Sequence, residues 1–232
     1  MSNFFNAEDG YFSLTQTGTI CIGVLIVLLI VLSAFLKKKP VEGDHEKKEK
    51  KGFSARQIVF CAVAMALGFA TSYIKVIPMP FGGSVTLCSM LFVVLIGYWY
   101  GPKVGIMSGF AYGLLQFVQD GGSYILSPLQ ACMDYIFAFA ALGLSGFFYQ
   151  KKHGLVKGYL VAILVRGLFH TIGGYLYWMD YMPDNFPKSL SAIYPIIYNY
   201  SYILAEGVLT LIVISLPPVK KALARVKMMA QE

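Results

Sequence analysis

The chain has 232 residues, 57% hydrophobic and only 13% charged, with a net charge of +7 and a mean hydropathy of +0.63. Soluble domains carry about 25% charged residues, so this composition excludes an ordinary soluble enzyme, a disordered chain and a secreted disulfide scaffold. The basic surplus does not point to nucleic acid: the lysines and arginines gather at the ends of apolar segments, where membrane orientation accounts for them.

A membrane-spanning helix needs roughly 20 mostly apolar residues. The first candidate is Thr19–Leu36, preceded by Glu8 and Asp9 and followed by Lys37–Lys39. That order puts the N-terminus outside and the lysines inside. A solvated linker follows, with 12 charges between Lys37 and Arg56, too many for it to bury anything. Six further spans are predicted: Ala55–Val76, Val85–Tyr100, Val104–Val118, Pro128–Tyr149, Gly158–Trp178 and Pro195–Leu216. With the linker inside, 16 of the 19 basic residues fall on the inner side. An odd number of missed or extra helices would destroy that asymmetry. The expected molecule is therefore an all-α, polytopic membrane bundle, multi-pass in the cell membrane, with its C-terminus cytoplasmic. Its expected divisions are an N-terminal region to residue 36, a charged linker at 37–54, a six-helix membrane domain at 55–218 and a tail at 219–232.

Ionisable groups inside a membrane are costly and mark functional sites by default. Asp134 comes six residues after Pro128, and Ser127-Pro128 reads as the N-cap and first residue of its helix, so it lies roughly 10 Å below the outer end. His170 comes eight residues before Trp178, which puts it at roughly 12 Å. Asn199 comes four residues after Pro195, at roughly 6 Å. A carboxylate, an imidazole and an amide from three helices thus share the outer third of the membrane. Tyr124, Tyr135, Tyr175, Tyr177, Trp178, Tyr194 and Tyr198 lie at the same level. Such a set describes a pocket for a flat, polar, cationic ligand. For Tyr175, Tyr177, Tyr181, Tyr198, Tyr200 and Tyr202 an interfacial aromatic belt is the preferred reading. Structural readings stand beside the site reading: Asp134 paired with Arg166, His170 as a core histidine, and Glu206 as a deeper partner for Arg166.

Two stripes of small residues suggest close helix packing. Gly101, Gly105, Gly109 and Gly113 read as an internal contact. Ala62, Ala66 and Ala70 read either as bundle packing or as a docking face for another membrane protein. The negative findings are equally useful. There is no G-x-x-x-x-G-K-[ST], no H-E-x-x-H and no C-x-x-C, and the four cysteines lie in separate segments, so no nucleotide, metal, redox or cofactor site is expected. Any energy source belongs to a partner or a gradient.

The runs GSVTL (Gly83–Leu87), YGLLQF (Tyr112–Phe117), SYILSPLQACMDYIFAF (Ser123–Phe139), RGLFHTIGGYLYW (Arg166–Trp178) and YPIIYN (Tyr194–Asn199) resemble the thiamine-specific S component of energy-coupling factor (ECF) transporters. The resemblance covers about residues 55–216. It implies a six-helix S-component core, to which this chain adds its N-terminal span. It implies a non-enzymatic subunit that captures thiamine at the outer face. Delivery inward would need a coupling module: a transmembrane coupling subunit with two ATPases, where ATP is hydrolysed. Ligand binding would close outer loops over an aromatic cage. By position in the motifs, Asp134, Tyr135, Tyr124, His170, Trp178, Tyr194 and Asn199 would line the ligand site, and Ala62 and Ala66 would meet the coupling module. The position of Asp134 is usually Glu in that family, one methylene longer, and Phe81 is the aromatic available in the first outer loop. Two alternatives stand beside it: the same architecture serving another vitamin or a thiamine precursor, and, from a different class, a proton-coupled secondary carrier using Asp134, Arg166 and His170. An intramembrane enzyme fits least, since no nucleophile–base or metal set is recognisable.

Overall fold

The computed structural model describes residues 5–8, 11–18, 20, 21, 24, 53–120 and 125–232. Most of the predicted span Thr19–Leu36, most of the charged linker, and Tyr124 lie outside the described residues. Ahead of them, β1 (Phe5–Glu8) and β2 (Tyr11–Leu14) pair as an antiparallel hairpin, Phe5 opposite Leu14.

The bundle begins with α1 (Ala55–Ser72). Ser54 and Gln57 close its first turn reciprocally, each side chain accepting from the other's backbone N–H at 3.1 Å, so two of the orphan donors at the helix start are satisfied. The predicted extension of this helix to Val76 does not form. Pro78 and Pro80 force Ile77 and Met79 into extended backbone, and the chain turns into β3 (Lys75–Pro78), a short 3₁₀ turn at Pro80–Gly82, and β4 (Ser84–Thr86). The two strands pair antiparallel, Lys75 opposite Thr86 and Pro78 opposite Ser84. The next helix, α2 (Ser89–Tyr100), consequently starts four residues later than predicted.

α2 is apolar all round, and a helix of that kind belongs inside. Val93, Val94 and Ile96 are fully buried, and Leu142, Tyr159, Ile163 and Ile203 from the later helices close around it. Gly101, with φ +86°, ends α2, and Pro102 starts α3 (Pro102–Gln119), the Gly-then-Pro order that stops one helix and opens the next. α4 runs Pro128–Phe148 without a break, but it changes winding from α to π over Cys132–Phe137 and to 3₁₀ over Ala141–Phe148. α5 (Gly154–Tyr177) and α6 (Tyr194–Ser215) complete the six-helix core.

The glycine stripe on α3 faces α4, as expected for an internal contact. A Cβ on Gly109 would stand 2.5 Å from the Phe139 carbonyl oxygen, and one on Gly105 2.7 Å from that of Gly143. Hydrogen at these positions is what lets the two backbones touch.

Four helices among the described residues are long and apolar enough to cross a membrane, and α2 is a shorter apolar one. The bundle's outer surface carries Ile58, Val59, Val63, Leu164, Leu168, Val208 and Ile212, all exposed. A surface of this kind suits lipid rather than water.

The segment expected as a tail is α7 (Pro217–Gln231), an amphipathic helix laid across one end of the bundle. Leu223 and Val226 pack on the core. Lys227 Nζ donates to Tyr98 Oη at 3.1 Å and sits 4.2 Å from that ring's centre, while Tyr100 Oη donates to the Ala230 carbonyl at 3.0 Å. Lys103, Lys151, Lys152 and Lys157 lie at this same end, at the starts and ends of α3, α4 and α5.

Candidate functional site

A cavity of about 250 Å³ opens at the other end of the bundle, among α3, α4, α5, α6 and the β3–β4 hairpin. Asp134, Tyr135, His170, Trp178, Tyr194 and Asn199 all line it. Six of the seven ligand-site positions expected from the sequence are therefore brought together; the seventh, Tyr124, is outside the described residues.

Local winding explains how neighbours on α4 share this wall. Ser127 caps the helix by accepting from the Gln130 N–H at 3.1 Å. Asp134 and Tyr135 then fall inside the π turn. The wider turn carries one extra residue, a feature that recurs at functional sites, and it lets two consecutive side chains reach the same cavity. On α5, the paired glycines of RGLFHTIGGYLYW make room. A Cβ on Gly173 would stand 3.2 Å from Asp134 Oδ1, and one on Gly174 2.8 Å from Pro195 of α6.

A chain of hydrogen bonds runs along the wall. Arg166 Nε–H points at His170 Nε2 at 3.4 Å. His170 Nδ1 lies 3.0 Å from Asp134 Oδ1, and Gln130 Nε2 donates to Asp134 Oδ2 at 2.6 Å. A guanidinium has only donors, so Nε2 of His170 must be the accepting nitrogen. The ring proton is then on Nδ1 and is donated to Asp134, which makes the imidazole neutral and fixes its tautomer. Gln130 is itself oriented, because its Oε1 accepts from the Leu126 N–H at 3.0 Å. Asp134 thus keeps unused lone pairs on both oxygens, with its rotamer held from two sides.

Asn199 is fixed just as firmly. Its amide donates to the carbonyls of His170 (3.2 Å) and Pro195 (2.9 Å), and its Oδ1 accepts from Tyr202 Oη at 3.0 Å. Both amide hydrogens are used. Toward a ligand Asn199 can act only as an acceptor.

The pairings expected for Arg166 do not form. Asp134 pairs with His170, not with Arg166, whose guanidinium stands 4.2 Å from the centre of the Phe139 ring, a cation–π contact. Glu206 does not pair with Arg166 either. Among the described residues Arg166 has no carboxylate partner. Glu206 accepts instead from the Thr86 N–H (2.9 Å), Thr86 Oγ1 (2.6 Å), Ser89 Oγ (3.3 Å) and the Met90 N–H (3.1 Å).

Tyr181, Tyr198 and Tyr202, which composition places in an interfacial belt, line the cavity. Tyr202 is 7% exposed and meets His170 edge to face. The i+4 spacing of Tyr194, Tyr198, Tyr202 and Glu206 is the sequence signal for this. Tyr175 and Tyr200 bond elsewhere, to the carbonyls of Ala192 and Leu164. Sequence reading also misses Gln116, Gln119 and Asp120, which face the cavity from the end of α3. Tyr135 Oη donates to Asp120. Burial pushes the Asp120 carboxyl above its ordinary range, opposed by that hydrogen bond and by the positive charge of Lys75.

The lining holds the carboxyl groups of Asp120, Asp134 and Glu206 against the cations of Lys75 and Arg166. With His170 neutral, the formal surplus is one negative charge. Around it stand the aromatic faces of Tyr135, Trp178, Tyr181, Tyr194, Tyr198 and Tyr202. Chemically, this arrangement suits a planar monocation with hydrogen-bonding edges.

The family model described as Thiamine transporter protein (Thia_YuaJ) matches residues 58–225. The chain is 32% identical over 151 residues to the thiamine transporter ThiT of Bacillus subtilis (strain 168), covering 60% of this chain and 76% of that protein. It is 26% identical over 174 residues to the thiamine transporter ThiT of Lacticaseibacillus paracasei, covering 67% of this chain and 81% of that one. Among solved structures, ThiT from Listeria monocytogenes shares the fold with a TM-score of 0.54 at 24% identity, over 70% of this chain and 94% of that one.

Proposed function

Because the chain belongs to the thiamine transporter protein family, we propose that it is the thiamine-binding S component of an ECF-type importer. It captures the vitamin in the cavity lined by Asp134 and Trp178. The observation that carries this reading is the Arg166–His170–Asp134–Gln130 chain, which presents an oriented carboxylate to an aromatic-walled pocket with one surplus negative charge. The thiazolium carries a fixed positive charge. It lies against Asp134 and an aromatic face, Trp178 being the one at the end of α5. The aminopyrimidine amino group donates to Asn199, which has only acceptor capacity left, or to Asp134. Tyr194 Oη supplies a donor to a ring nitrogen, and His170 packs against the ligand from behind Asp134. Tyr135 and Tyr124 complete the cage.

Transport requires a partner, since the chain carries no nucleotide-binding motif. The partner is an ECF coupling module with two ATPases, docked on the face of α1 where Ala62, Ala66 and Ala70 lie exposed. The lysines gathered around α7 support an inner position for that end, which leaves the cavity facing outward and the C-terminus in the cytoplasm.

Thiamine binding to the purified chain tests the reading through tryptophan fluorescence. Trp178 lines the cavity and Trp99 is buried near the opposite end, against Phe60 and Tyr100. Saturable quenching at low thiamine concentration should vanish in Trp178→Phe, and tight binding should vanish in Asp134→Ala. Absence of quenching in folded protein would redirect the search to other vitamins and thiamine precursors. Uptake by reconstituted protein without any ATPase, collapsing with the proton gradient, would instead favour a secondary carrier.

A further inference from the structure

Thiamine capture as proposed gives Glu206 no contact with the ligand, only a share in the pocket's charge, although it is a carboxylate just 3% exposed in the middle of an apolar helix. A buried carboxylate is costly unless its acceptor sites are filled. Here they are. Oε2 takes the Thr86 N–H and hydroxyl; Oε1 takes the Met90 N–H and a longer approach, 3.3 Å, from the Ser89 hydroxyl, whose one proton also serves the 2.6 Å contact with Thr86 Oγ1. A carboxylate offers about four lone-pair sites, and three are firmly taken with the fourth facing Ser89, so Glu206 is turned toward the protein and contact with thiamine is not its role.

The positions of those donors are informative. Thr86 is the last residue of β4, and Met90 lies in the first turn of α2. α2 lacks a cap of its own. The residue before it, Cys88, has φ +57° and makes no side-chain cap bond, and the first turn contains no acidic residue. Open N–H groups at a helix start need acceptors, and negative charge there is favourable. Glu206 supplies both from α6, across more than a hundred residues of sequence.

Glu206 is also the deep end of a ladder. Tyr194, Tyr198, Tyr202 and Glu206 follow one another at i+4 along one face of α6, where side chains stack. Tyr198 Oη donates to the Pro80 carbonyl at the hairpin tip. A Cβ on Gly83 would stand 3.0 Å from both Tyr198 and Tyr202. The hairpin is therefore seated on α6 at its tip, its middle and its base.

Resting on the thiamine reading, we infer that Glu206 is a positioning residue. It caps α2 in trans and thereby holds the Lys75–Thr86 hairpin to α6, so that hairpin and helix enclose the ligand as one body. Retention of the vitamin then depends on a carboxylate that does not touch it.

The test uses the full chain purified in detergent, with Glu206→Gln, Tyr198→Phe, Thr86→Val and the Glu206→Gln/Tyr198→Phe double variant. Glu206→Gln turns an amide donor toward groups that are themselves donors. Hydrogen exchange of peptides covering residues 84–92 should rise about tenfold or more in Glu206→Gln, the scale of one lost charge-assisted hydrogen bond. Thiamine dissociation should accelerate by a similar factor with association changed less than about twofold, since capture precedes enclosure. In the double variant the effects on dissociation should fall short of multiplying, because both changes release the same body. A purely structural role would not produce that coupling. Unchanged dissociation in the presence of faster exchange would overturn the proposal, as would effects that simply multiply. If Glu206→Gln does not fold, Thr86→Val removes one hydroxyl donor and should show the same two changes, smaller; no change in either would overturn it too. Should the wild-type chain fail to bind thiamine, the ligand reading fails, and exchange at 84–92 still decides the anchoring: a rise supports it and no rise overturns it.

Discussion

Asp134 shows how little of a side chain needs to be free for it to serve a ligand. Its two oxygens are held by His170 and Gln130, and what remains is a charge with one open direction on each. Asp134→Asn keeps the size and removes the charge, so thiamine affinity should fall by at least about tenfold, within the worth of a charge-assisted hydrogen bond; equilibrium titration with radiolabelled thiamine reads it. Asp120 makes a different prediction. Its folded-state carboxyl is raised by burial, so between the ordinary and the raised value the folded protein holds a proton that the unfolded chain has already released. Stability then falls as pH rises from the ordinary carboxylate range through the raised value, and is fully regained below both. Thermal melts of wild type and Asp120→Asn across that window should diverge, with the slope absent in the variant. Asp134, His170 and Asn199 can be found by counting from helix ends, because depth is arithmetic. Asp120 cannot: it follows the last turn of α3, where a polar residue before a loop looks ordinary until α4 covers it.

At the scale of elements, the glycines of α3 are the clearest case of sequence stating structure. Their i+4 spacing specifies a face, and α4 fills it. Gly109→Ala should cost about 2 kcal/mol or more, because the added carbon meets the backbone carbonyl of Phe139, which has no rotamer to escape into; the melting temperature in detergent measures this. The end of α1 is harder to read for an equally physical reason. The apolar run continues through Ile74, Val76 and Ile77, and hydropathy alone does not register that Pro78 and Pro80 forbid a helix there. Likewise composition assigns Tyr198 and Tyr202 of α6 to a belt, whereas their spacing places them, with Tyr194, in line with Glu206.

For the molecule as a whole, six core helices and a segregation of basic residues to one end are legible in the sequence. What it hides is α7, whose four basic residues read as a solvated tail. Lys227 shows why: its ammonium serves Tyr98 while neighbouring Leu223 and Val226 cover the bundle, and a long basic side chain spans both environments with ease. Lys227→Ala should lower stability by about 1 kcal/mol and leave thiamine affinity unchanged, since the cavity is at the far end; parallel melts and titrations would separate the two. The π turn of α4 carries a last consequence. It is a helix with one residue too many, and that surplus residue is what turns both Asp134 and Tyr135 inward. Deleting Cys132 would let the helix close into regular winding, with Pro128 and Phe139 keeping their places. Such a chain should melt higher and bind nothing: here the irregularity is the cost of recognition, and selection for robustness alone would erase it.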